Sequence, residues 1–146
     1  MSRLFGIFGP SLVLVITMIG VVVGLGFAGA TALRVFKRCK NENKPIPWNS
    51  FILSGTPIVG AVYSNILMQW MLQTTITPEI ESILSGYAIG VGLIIALSMA
   101  IIGKLAAIAC NELSEGINNF NSHVMKIGAM NAVAMFAMIF ALINMP

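Results

Sequence analysis

One histidine, two cysteines and five glutamates are the residues that could hold a metal, attack a substrate or move a proton in this 146-residue chain. Aspartate is absent, so no Ser/His/Asp set can form. His123 has no cysteine or carboxylate at the short spacings of a zinc site. Cys39 and Cys110 are too few for a disulfide framework. They are expected to be reduced, cytosol-facing thiols, Cys39 in a basic loop and Cys110 at the end of an apolar run. Gly90-Val91-Gly92 lies inside an apolar stretch, without the strand–turn–helix context of a phosphate-binding loop. No catalytic residue, metal site or cofactor is therefore assigned, and an enzyme active site is not expected.

The elements around these residues are those of a membrane protein. Hydrophobic residues make up 58% of the chain and charged residues only 9%. Soluble surfaces need roughly 25–35% charge. The net charge of +3 comes mostly from Arg34, Lys37, Arg38, Lys40 and Lys44. No second basic stripe or interleaved aromatic set accompanies them, so a nucleic-acid partner is not expected.

Residues 4–33, 45–78, 82–103 and 127–146 carry no charge. A helix needs about 20 apolar residues to cross a bilayer core, and lipid leaves the backbone no alternative to a helix in such a run. Helices are expected near 10–36, 50–74, 83–110 and 121–145, as one membrane domain over 1–146. The first run is far longer than the apolar stretch of a signal peptide and is expected to be a span. Lys104 and Lys126 are expected to snorkel to the interface. The basic 34–49 loop is expected to face the cytosol with the 111–121 loop, which puts both termini on the opposite side. Pro57 is expected to kink the second helix.

Small residues recur four apart at Gly20, Gly24, Ala28 and Ala32, and again at Gly92, Ala96 and Ala100. Such stripes let helices approach closely in lipid. The second and fourth spans are bulky instead, with Phe51, Trp70 and Met71 in one and Met130, Met135, Phe136 and Phe140 in the other. The pattern is that of a helical hairpin duplicated over about 1–73 and 74–146. It fits a ring with small-residue helices inside and bulky helices outside. Polar residues inside the spans include Asn65 and Gln69, four apart on one face. They could line a polar path, bind a neighbouring subunit or bond between helices.

These features resemble the proteolipid (c-type) subunits of vacuolar-type rotary ATPases. The resemblance rests on Phe8-Gly9, Gly24-Leu25-Gly26 and the run Ile58-Val59-Gly60-Ala61-Val62-Tyr63 in the first half. In the second half it rests on Gly86-Tyr87-Ala88-Ile89-Gly90-Val91-Gly92, Ala100-Ile101-Ile102-Gly103 and residues 135–143. It covers nearly the whole chain, though each match alone is small or aliphatic. The implied architecture is all-α, with four transmembrane helices as two duplicated hairpins assembling into a membrane rotor ring. The implied role is that of a non-catalytic subunit of a proton-translocating complex in a vacuolar or other endomembrane. The implied partners are other proteolipid subunits, a stator membrane subunit, central-stalk subunits and the lipid bilayer. Glu112 and Glu115, at the cytosolic end of the third helix, would face the stalk. Gly20, Gly24, Ala28, Gly92, Ala96 and Ala100 would pack the ring.

The sequence departs from that family at the ion site. The family carries a glutamate in the fourth helix five residues before an aromatic, and counting back from Phe136 gives Asn131. A related type carries it five before the tyrosine, and counting back from Tyr63 gives Ile58. A buried carboxyl holds a proton because desolvation raises its pKa. Asparagine copies the protonated shape but cannot ionise. Shifting the helix by one turn puts Met135 there, which also cannot ionise. Asn131 is thus a substituted ion site or an interhelical hydrogen-bonding residue. The first reading implies a mixed ring in which other chains carry the protons. A small four-helix channel or transporter, or an assembly adaptor, is the alternative.

Overall fold

The computed structural model describes residues 2–74, 77–117 and 119–145, and among these every regular element is helical. The side chains of 2–8, 78 and 79 fall outside the description, which leaves out Phe8 of the sequence argument. The helices are α1 (Ser2–Asn41), α2 (Asn49–Ser54), α3 (Val59–Gln73), α4 (Pro78–Ser114) and α5 (Phe120–Asn144), with a 3-10 turn at Thr56–Ile58 between α2 and α3. Four segments are long and apolar enough to cross a membrane: Gly9–Asn41, Asn49–Gln73, Ile80–Ser114 and Phe120–Asn144.

α1 and α4 run beyond the expected bounds. Uncharged runs locate what sits in lipid, not where a helix stops. Arg34 to Lys40 are mostly good helix formers, and the buried stripe continues through them at Ala32, Val35 and Cys39. Cys39 therefore lies on a helix and is buried with Val35 and Cys110, instead of in an open loop. Both long helices end in the same reciprocal cap. Asn43, with φ 52°, closes α1 as Lys44 N–H donates to the Cys39 carbonyl at 2.9 Å. Gly116, with φ 84°, closes α4 as Ile117 N–H donates to the Glu112 carbonyl at 3.1 Å. Both are left-handed positions, which Gly and Asn take at least cost. α4 starts at Thr77, whose side chain accepts from the Ile80 amide, with Pro78 in its first turn.

Past α1, Glu42 is forked between Lys44 at 2.6 Å and Arg38 at 3.0 Å. Hydrogen bonds from Lys44 and then Arg38 hold its carboxyl below the usual carboxylate range. A depressed carboxylate adds stability above its unfolded pKa and loses it as pH falls through the folded one. The fork is exposed, so its share is small.

The second span is interrupted where Pro57 was expected to kink it. Proline has no N–H for the carbonyl four residues back. That carbonyl belongs to Leu53, and the Thr56 hydroxyl donates to it at 2.7 Å. Ser54 likewise donates to the Phe51 carbonyl at 2.8 Å. Side-chain hydroxyls thus cover backbone acceptors at the break, as lipid requires. Thr56→Val keeps the shape and removes the donor. It is expected to cost about 0.5–1.5 kcal/mol, the net value of one hydrogen bond, read as a lower Tm in detergent.

α1 and α4 form the centre, running in the same direction. Gly92 lies against Ile16 and Val13, and Gly20 against the backbone of Ala96. One turn on, Gly103 lies on the backbone of Gly24. A methyl group at Gly20 or Gly103 would occupy space already held by the facing main chain. Buried positions on α1 include Val13, Thr17, Gly20, Val21, Gly24, Ala28, Ala32, Val35 and Cys39, and on α4 Leu84, Ala88, Val91, Ile95, Met99, Ile102, Ala106 and Cys110. Both stripes repeat every 11 residues. That period is 3.67 residues per turn, the winding of right-handed helix pairs. α2 and α3 pack across this pair through Leu53, Pro57, Gly60, Leu67 and Met71. α5 covers α4 and α3 with His123, Ile127, Ala134 and Ala141.

Candidate functional site

Asn131 lies on the inward stripe of α5, between the buried Ile127 and Ala134. Tyr63 is half-buried on α3, one residue before the buried Ser64. The two helices meet at this level. The Asn131 amide nitrogen donates to the Tyr63 hydroxyl at 3.0 Å. The amide oxygen, Oδ1, is buried with no hydrogen-bond partner. Turning the amide over would let the phenol donate to Oδ1 and would leave Nδ2 unpaired instead. Either way one polar atom of the amide is unsatisfied at the middle of the bundle. A hydrogen bond between membrane helices contributes roughly 0.6–2 kcal/mol. The geometry is therefore an interhelical tie, held by a residue that cannot exchange a proton.

The polar and matched positions of the first hairpin lie elsewhere. Ile58 ends the 3-10 turn and is exposed. Asn65 and Gln69 are both exposed, away from the buried Gly60–Ser64–Leu67–Met71 face of α3. They are not brought to Asn131. The small-residue positions Gly20, Gly24, Ala28, Gly92 and Ala96 are buried, and Ala100 is half-buried. In this structure the stripe joins α1 to α4 within one chain.

At the start of α5, Glu112 and His123 form a pair that the sequence argument did not connect. His123 Nε2 is 3.0 Å from Glu112 Oε2, and the imidazole is only 6% exposed. The signal was there: a glutamate in the last turns of one helix and a histidine in the first turn of the next. Glu115, its expected companion, is exposed. Glu112→Ala would leave a buried imidazole nitrogen without its partner. It is expected to cost about 1–3 kcal/mol, with Glu115→Ala near neutral, both read from Tm.

Two further hydroxyls are buried without a hydrogen-bond partner, Thr17 Oγ1 and Ser50 Oγ. The Ser50 carbonyl accepts from Cys110 Sγ at 3.4 Å. Among the described residues no three His, Cys, Asp or Glu side chains come together as a metal site. An apolar groove of about 650 Å³ lies between α4 and α5, lined by Gly86, Tyr87, Gly90, Ile94, Phe136 and Phe140 among others. Comparison with protein-family models and with curated protein sequences finds no match.

Proposed function

We propose that this chain is a proteolipid subunit of the membrane rotor ring of a vacuolar-type, proton-translocating ATPase, and a structural member of a mixed ring. The carrying observation is the pair Asn131–Tyr63. A polar, carboxyl-shaped but non-ionisable group sits at the level where such a subunit holds its proton. Tyr63 supplies the hydroxyl that would otherwise steady a protonated carboxyl. The matching caps at Asn43 and Gly116, 73 positions apart, support a duplicated hairpin. In this reading the protons ride on other proteolipids, ATP is hydrolysed elsewhere in the complex, and the chain completes the ring. The loops after α1 and α4 face the cytosol, in a vacuolar or other endomembrane, with the stalk at Glu112 and Glu115 and the stator beside the ring.

A second reading is a small channel or transporter. The break at Gly55–Ile58 favours it, because transporters bind substrate at interrupted helices. The mass of the native particle, extracted in mild detergent, separates the two. The rotor reading expects a large multi-subunit complex, and an isolated oligomer of this chain would overturn it.

A further inference from the structure

The seam between α1 and α4 carries a feature that neither the rotor reading nor the alternative uses. Lys104 is exposed on α4, inside the Ile80–Ser114 span. About 15 Å of helix separates it from Ser114. Its ammonium lies over the Phe27 ring of α1, 5.5 Å from the centroid. Its neighbour Gly103 touches Gly24, so Lys104 sits at the height of Phe27. The first charge on α1 beyond that height is Arg34, about 10 Å nearer the end of the helix. Residues seven apart on a helix share a face. Arg34 therefore stands above Phe27, and Asn111 above Lys104, all four exposed. Glu112, the nearest carboxylate in sequence, is committed to His123.

We infer that this seam is a binding site for the phosphate of an anionic phospholipid, in the leaflet on the side of the 42–48 loop. Lys104 and Arg34 would clasp the phosphate from below and above. Asn111 would donate a hydrogen bond to it. Phe27 and, one turn deeper on α4 than Lys104, Ile101, 45% and 42% exposed, would lie along the acyl chains. A soluble polyanion fits poorly, because Lys104 lies below the first charged turn of α1, where only a lipid can bring a phosphate. Anionic headgroups draw basic residues at this boundary. The inference depends only on the four spans, and it stands or falls separately from the rotor reading.

Native mass spectrometry of the full chain in detergent tests it, with added phosphatidylglycerol or phosphatidylcholine. The wild type is expected to retain phosphatidylglycerol several-fold more than phosphatidylcholine. Lys104→Gln and Arg34→Gln should each bring retention down to the phosphatidylcholine level. Lys104→Arg should keep it, as should Lys126→Gln, which removes an exposed charge on α5 away from the seam. Circular dichroism checks that each variant is folded, and if Lys104→Gln is not, Arg34→Gln decides. Equal retention of both lipids by the wild type would overturn the inference. So would an equal loss in Lys126→Gln, or displacement of the lipid by millimolar inorganic phosphate.

Discussion

Gly20→Leu is expected to separate α1 from α4 and to give the largest stability loss of any single change in the bundle. Even the first carbon of the new side chain would fall on the backbone of Ala96. A flexible neighbour could turn aside, but a main chain in mid-helix cannot. The two helices must part, and the cost spreads over the whole buried stripe. Overpacking a core costs about 1–3 kcal/mol when side chains can adjust. Here they cannot, so the loss should exceed that range and take a large share of the roughly 5–15 kcal/mol that holds a typical domain together. Gly103→Leu should behave alike, because it strikes the backbone of Gly24. Gly26→Leu is the control. It lies on the same helix, but nothing stands within 4 Å of an added carbon there. Thermal unfolding in detergent should show a sharp drop for Gly20 and Gly103 and little change for Gly26. Equal drops would mean that the contact is not backbone on backbone.

Asn131→Glu is the second large effect, and it is a gain. Carbodiimides label protonated carboxyls in apolar surroundings, and residues 127–146 of the wild type contain none. The wild type should therefore show no label in α5. A carboxyl introduced at position 131 would be desolvated, which raises its pKa and keeps it protonated near neutral pH. Labelling should go from none to a large fraction of chains, and it should speed up as pH falls through the raised pKa. Asn131→Asp, closer in size, should show the same sign. Tyr63→Phe in either background removes the hydroxyl now 3.0 Å from the amide and tests whether it steadies the acid. Label inside a membrane helix of the wild type would contradict the account, as would a folded Asn131→Glu that stays unlabelled.

How much of this was legible in the residues depends on the kind of signal. The four spans were, because uncharged length is a direct measure of what lipid accepts, and Pro57 marked the break because its missing N–H is a local fact. The ends of α1 and α4 were not. Helices continue through Arg34–Lys40 and Asn111–Ser114 after leaving lipid, so charge marks the bilayer and not the cap. The true stops, Asn43 and Gly116, are turn residues that could have been read. The small-residue stripe was seen as a four-residue spacing, and its 11-residue period was missed because Val13, Thr17, Val35 and Cys39 are not small. Its partner was also not legible. A stripe at Gly20 and Ala96 announces close packing but not whether the neighbour is the same chain. The bond of Asn131 to Tyr63 spans 68 positions and depends on how α3 meets α5, which no periodicity encodes. Glu112 was read as a surface residue because its helix end was weighed alone, although His123 in the first turn of the next helix was the clue to its partner.

The most direct test of the central claim is an image of the intact native particle at a resolution that separates side chains. The account expects a closed ring holding this chain beside different proteolipids, with carboxyls on those neighbours at the height of Asn131. A small particle built only of this chain, with no ring and no neighbouring carboxyl at that height, would contradict it.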